Sequence, residues 1–163
     1  MIRNTAVTVC GPLNVNKLGV TYVHEHLMVK PQLPDEYYIP YTLDDEAAST
    51  EETRSFSAAG GETLVEMTPI NYGRNVKAYQ RIAQATGVHV ICCTGFHKQL
   101  FMPPWFGDKT DGELYDILMN EVMNGLDDTE IHPGVIKLGT SFEEVTAAEK
   151  RSIEAVARVH RDT

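Results

Sequence analysis

The sequence predicts an α/β protein built from parallel β/α units, and two patterns predict it. Four short apolar runs rich in Val, Ile and Thr, at 19–27, 63–69, 88–95 and 134–141, alternate with four segments of helical character. Each run is bounded by turn residues and lacks polar alternation, as expected of strands covered on both faces. Such alternation implies right-handed parallel crossovers.

The elements follow in order. A short β-hairpin is expected at 6–16, ahead of the first unit. The segment 42–59 opens on acidic residues and stops at Gly60-Gly61, reading as a helix. Residues 74–86 place Val76, Tyr79, Ala83 and Thr86 on one face and meet Gly87, a helix-ending glycine. Residues 112–126 carry Leu114, Ile117, Leu118 and Val122 at helical spacing. A last helix starts at the capping box Thr146-Ala-Ala-Glu149 and is expected to bury Ile153, Val156 and Ala157. Four β/α units are the first half of an eight-unit TIM barrel. The competing flavodoxin-like sheet has five strands and a ligand loop after the first.

With 163 residues, 42% hydrophobic and 23% charged, the chain is long enough for one domain with a core. A net charge of −9 argues against nucleic acid and anionic membrane as partners, because both need a basic surface. No apolar stretch reaches the ~18–20 residues of a membrane span, and residues 1–10 lack the pattern of a secretory leader. The three cysteines, Cys10 and the adjacent Cys92 and Cys93, suggest no disulfide framework, so a cytoplasmic location is expected.

The strand ends carry the chemistry. The first apolar run ends Tyr-Val-His-Glu-His-Leu, and His24 and His26, two apart, share a face of a strand. They lie at the C-terminal end, where barrels keep their active sites. Two converging imidazoles suit zinc or a similar divalent cation; a structural pair is the alternative. Lys137 lies in the fourth run, Gly-Val-Ile-Lys-Leu-Gly-Thr-Ser. A buried ammonium is costly unless paired or neutralised. It therefore either pairs with a buried carboxylate such as Glu66 or is modified, for example to a carbamate able to bridge two cations. Glu66 either orients a ligand histidine or pairs with Arg74. His97, just past the third run, is placed to touch substrate or to be a solvated loop residue. Trp105 lies on a proline-bearing loop suited to walling a pocket or covering the barrel rim.

Taken together, Thr8-Val-Cys-Gly-Pro12, Leu18-Gly-Val-Thr-Tyr-Val-His-Glu-His-Leu27, Thr68-Pro-Ile-Asn-Tyr-Gly-Arg-Asn75, Thr94-Gly-Phe96 and Gly134-Val-Ile-Lys-Leu-Gly-Thr140 resemble, in order and spacing, the phosphotriesterase family of the amidohydrolase superfamily. The His-Glu-His form and the Gly-Phe segment are most similar to its lactonase-like and phosphotriesterase-homology branches. The resemblance implies a (β/α)8 barrel with a binuclear centre, two zinc ions or manganese or another divalent metal. His24 and His26 match the strand-one pair on the more buried metal. Lys137 matches the carboxylated lysine that bridges both metals and so has a catalytic part. The implied activity is hydrolysis of a lactone, sugar-phosphate lactone or phosphoester. The family's two further histidines, from strands five and six, and its aspartate from strand eight have no counterpart here. The expectation is therefore that residues 1–163 are the N-terminal half of a metal-dependent hydrolase barrel. It would carry three of six ligands, inactive alone, and act either as a homo-oligomer or with a missing C-terminal half.

Overall fold

A computed structural model describes residues 4–32 and 41–163. Strands β1 (Thr5–Thr8) and β2 (Gly11–Asn14) form the expected antiparallel hairpin, with Thr5 opposite Asn14 and Thr8 opposite Gly11. The Thr8 hydroxyl closes its turn by donating to the Gly11 carbonyl at 2.7 Å. The hairpin docks on the barrel wall through Val9, whose N–H donates to the Val90 carbonyl and whose own carbonyl accepts from Gln80 Nε2, both at 2.8 Å.

The barrel units are β3 (Thr21–Glu25), α1 (Glu46–Ala58), β4 (Thr63–Glu66), α2 (Val76–Thr86), β5 (His89–Gly95), α3 (Asp111–Asn124), β6 (Val135–Lys137) and α4 (Ala147–Asp162). The four strands are parallel and lie in sequence order, β3-β4-β5-β6. This is a curled half-barrel sheet, as the alternation of elements predicts.

Local chemistry sets the helix limits. Asp45 caps α1, accepting from Ala47 and Ala48 N–H, so that helix begins after the acidic 42–45 segment. Asn75 caps α2, and Gly87 ends it at φ 77°. Thr110–Glu113 and Thr146–Glu149 form complete capping boxes on α3 and α4. Such caps are each worth about 0.5–2 kcal/mol.

Two apolar layers join the helices to the sheet. One packs Leu64, Val90 and Cys92 against Val76, Tyr79 and Ile82 of α2. The other packs Phe96 and Phe106 against Leu114 and Leu118 of α3 and Val156 and Val159 of α4. Each fully buried Leu or Val contributes about 1.5–3 kcal/mol. On α4 the buried face is Glu149, Ser152, Ala155, Val156 and Val159. The expected Ile153 is only half-buried and Ala157 is exposed, because the helix also turns toward α3.

Two strands depart from the expectation of burial on both faces. On β3, Tyr22 is 53% and Val23 72% exposed. It is an edge strand with one neighbour, so half of its surface lacks a strand cover. β6 has only three residues, and Leu138 beyond it is exposed. The crossing of β5 and β6 is very close. Gly95 has φ 115°, and a Cβ there would lie 1.9 Å from the Lys137 carbonyl oxygen. Only glycine fits, and the approach sets Lys137 against the end of β5.

Candidate metal centre

The site forms at the C-terminal ends of β3, β4 and β6, and a bulge in β3 builds it. Tyr22 pairs with Leu64 but Glu25 pairs with Glu66, so Val23 and His24 together oppose Val65. The extra residue reverses the side-chain alternation. Tyr22 packs outward on Phe56 of α1, ring centroids 4.8 Å apart, whereas His24 turns inward to Lys137. His26 lies just past the strand, its ring 5.4 Å from that of His24. The two histidines do converge, through the bulge and the strand end rather than plain alternation.

Lys137 is 6% exposed. Its Nζ donates to the Met67 carbonyl at 2.9 Å and stands 3.5 Å from His24 Nε2, at the limit of a hydrogen bond. Among the described residues it makes no ion pair, so the alternative pairing with Glu66 is not found. Burial, the larger effect, holds its amine below the usual lysine range.

Glu66 does not pair with Arg74 either. Arg74 is taken by Glu121 and Asp127, both at 2.6 Å. The fully buried Glu66 carboxylate instead accepts from Leu27 N–H (3.2 Å), Thr68 N–H (3.1 Å) and Thr68 Oγ1 (2.6 Å). Burial still pushes its carboxyl up to about 7, with the Thr68 bonds opposing. Thr68 Oγ1 also lies 2.8 Å from His26 Nδ1. A hydroxyl has one proton, and with Glu66 ionised Thr68 gives it to that carboxylate. In that state His26 donates from Nδ1, and Nε2 keeps its lone pair. Burial first, then Lys137 and His24, push the His26 imidazole down to about 4. It is neutral at physiological pH, so its 3.8 Å approach to Glu66 is an oriented dipole rather than an ion pair. Burial and Lys137 likewise lower His24.

His97 joins the wall of this site. Its ring stacks on Phe101 (centroids 4.7 Å) and meets Tyr72 edge-on (4.8 Å), while Tyr72 stands 6.1 Å from His26. Its Nδ1 accepts from Lys98 N–H at 2.8 Å, which fixes the tautomer with the proton on Nε2. Burial, ahead of Lys137, pushes it down to about 4. Trp105 is not part of this wall; it packs 6.2 Å from Phe96 beneath the rim.

These donors suit a divalent cation. Two imidazoles and a buried amine that makes no ion pair among the described residues form a nitrogen-rich set. Among the described residues no three His, Cys, Asp or Glu side chains come together at metal-binding distance; the third member here is a lysine. Sequence alone identified His24, His26, Lys137 and His97. It did not reveal Thr68, whose role depends on a partner 42 positions away.

The phosphotriesterase family matches residues 4–163. The chain belongs to the phosphotriesterase family. It is 31% identical to a phosphotriesterase-related protein of Nematostella vectensis, covering 100% of this chain and 56% of that protein. It is 31% identical to a phospho-furanose lactonase of Mycoplasmopsis synoviae, covering 97% and 49%. Among solved structures, an amidohydrolase from Mycoplasma synoviae superposes with a TM-score of 0.90 at 30% identity, over 98% of this chain and 50% of that one. A lactonase from Listeria monocytogenes gives 0.88 at 30% identity, over 98% and 54%. The chain thus spans about half the length of the relatives it matches. Among the described residues no helix is long and apolar enough to cross a membrane.

Proposed function

We propose that this chain supplies part of the centre of a metal-dependent hydrolase that opens an ester-type bond, in a lactone, a sugar-phosphate lactone or a phosphoester. The observation that carries the reading is Lys137: a buried amine that makes no ion pair among the described residues, 3.5 Å from the Nε2 of a histidine. A divalent cation, zinc or manganese, would polarise the substrate's carbonyl or phosphoryl oxygen and acidify water. His24 and His26 would hold it through Nε2, with Thr68 and Glu66 fixing the ring of His26. Carboxylation of Lys137 would turn the amine into an anionic ligand. Its nitrogen lone pair bonds the carbon of CO2, one amine proton leaves to solvent, and two oxygens become available to a pair of cations. His97, protonated at Nε2, would donate to a substrate oxygen. The lactonase names among the relatives support the ester-type substrate. The net charge of −9 supports a small-molecule partner over nucleic acid or membrane. Three free cysteines support a cytoplasmic setting.

The test is zinc content after equilibrium dialysis of the unsubstituted chain, His24→Ala and Lys137→Ala. Both substitutions should lower it, and unchanged content in both would overturn the ligand assignment.

A second reading, a catalytically incomplete half-barrel that associates, is favoured by the exposed apolar residues near both sheet edges: Val20 (58%), Val23 (72%) and Phe142 (89%). The cover would be a second copy or further β/α units. Sedimentation velocity tests it, and a monomer that binds no apolar dye would refute it.

A further inference from the structure

We infer that Glu149 is a positioning residue for the candidate centre, clamping the loop that follows β5 to the loop that follows β6 and so fixing His97 relative to Lys137. The inference rests on the proposed function for its meaning but on separate contacts for its geometry. Glu149 occupies the third position of α4 and is fully buried. A capping-box glutamate ordinarily satisfies only its own helix end. Here Oε2 accepts from Thr146 N–H at 3.0 Å, as that role requires. Oε1 does something else: it accepts from Gln99 N–H at 2.9 Å and from Ser141 Oγ at 2.7 Å. Those two donors belong to different β/α loops.

Gln99 opens the 3-10 turn Gln99–Phe101. At the other end of that turn Phe101 stacks on His97. Ser141 lies four residues beyond Lys137. The two loops also touch directly, since a Cβ on Gly139 would come within 2.8 Å of both His97 Nδ1 and Lys98 N. Both loops are thereby held by one carboxylate. Despite its burial, these donors and the Ser141 N–H keep Glu149 ionised, with its carboxyl held down to about 2.

The chain itself provides the separation of roles. Glu149→Ala removes both the cap and the clamp; Thr146→Ala removes the reciprocal cap bond to Glu149 N–H and leaves Oε1 untouched. Amide hydrogen exchange by NMR reads Gln99 directly. In Glu149→Ala the Gln99 amide should exchange at least about tenfold faster, the loss of a hydrogen bond to a charged acceptor. The His97 ring resonances should shift as the Phe101 stack loosens. Thr146→Ala should leave both unchanged. Unaltered Gln99 protection in Glu149→Ala, or the same loss in Thr146→Ala, would overturn the clamp. If Glu149→Ala does not fold, Ser141→Ala paired with Glu149→Gln answers the same question. The glutamine offers Gln99 only a neutral oxygen, so that amide should still exchange at least about twofold faster, and unaltered Gln99 protection there would overturn the clamp. Zinc uptake by the unsubstituted chain tests the metal centre separately. A chain that takes up no zinc but loses Gln99 protection in Glu149→Ala refutes the centre and keeps the clamp.

Discussion

Replacing Thr68 by Val keeps the shape of the side chain and deletes one hydroxyl. With Glu66 ionised, that hydroxyl accepts from His26 Nδ1 at 2.8 Å and donates to Glu66 at 2.6 Å. Thr68 is fully buried, so no solvent reaches in to replace it. A neutral hydrogen bond contributes about 1 kcal/mol and one to a charged group about 1.5–3. The added methyl returns about 0.8. The net expected loss of stability is about 2–3 kcal/mol, read as a shift in the urea midpoint at constant slope. The effect on the centre is separate. With Nδ1 unpartnered, the His26 ring is free to turn and its Nε2 lone pair is no longer aimed. Loss of such a supporting partner typically costs 10–100-fold in metal affinity. Competition of the chain with a chromogenic zinc chelator measures it, and Thr68→Ser should recover most of the affinity. A Thr68→Val chain that binds zinc within about twofold of the unsubstituted one, while His26→Ala does not, would refute the relay from Glu66 through Thr68 to His26.

Three further outcomes are expected. Lys137→Met should abolish carbamate formation and lower zinc uptake. It should shift stability by no more than about 1 kcal/mol, because the lost bond to Met67 is offset by relief from burying an amine; a loss above about 3 kcal/mol would mark Lys137 as structural instead. Gly95→Ala should destabilise by about 2 kcal/mol or more in urea unfolding, since φ 115° and a 1.9 Å approach to the Lys137 carbonyl leave a Cβ no room. Glu149 has a folded pKa depressed from 4.5 to about 2. Its contribution to stability is therefore complete above pH 4.5 and is lost as pH falls toward about 2. Glu149→Gln should flatten that part of the acid-unfolding curve, and an unchanged slope between pH 5 and pH 2 would count against an ionised Glu149.

Much of this was legible in the sequence because it is local. Apolar runs, capping boxes and a glycine stop each declare themselves within a few residues, and the architecture follows from their order. His24, His26 and Lys137 were legible as residue types out of place in apolar strands. The structure brings all three together. What stayed hidden depends on partners far along the chain. The β3 bulge turns His24 inward, but its register is set by β4. The choice of Thr68 and Leu27 over Arg74 as the partners of Glu66 needs the folded sheet, as does the second use of Glu149. Edge exposure of Tyr22 and Val23 was misread because an apolar run does not say how many neighbours its strand has.

The strand order has a consequence for how the chain is made. In the barrel sheet β4, β5 and β6 each pair with the strand synthesised just before them. As the chain leaves the ribosome from its N-terminus, β3, β4 and β5 can assemble one after another without waiting for distant sequence. The contact between His24 and Lys137 is of another kind, joining residues separated by 113 positions. That contact forms only when β6 docks beside β5. Until then His24 and His26 lie open on an unfinished sheet. The lysine becomes buried late, so His24, His26 and Lys137 are brought together only by the last strand of the four to arrive.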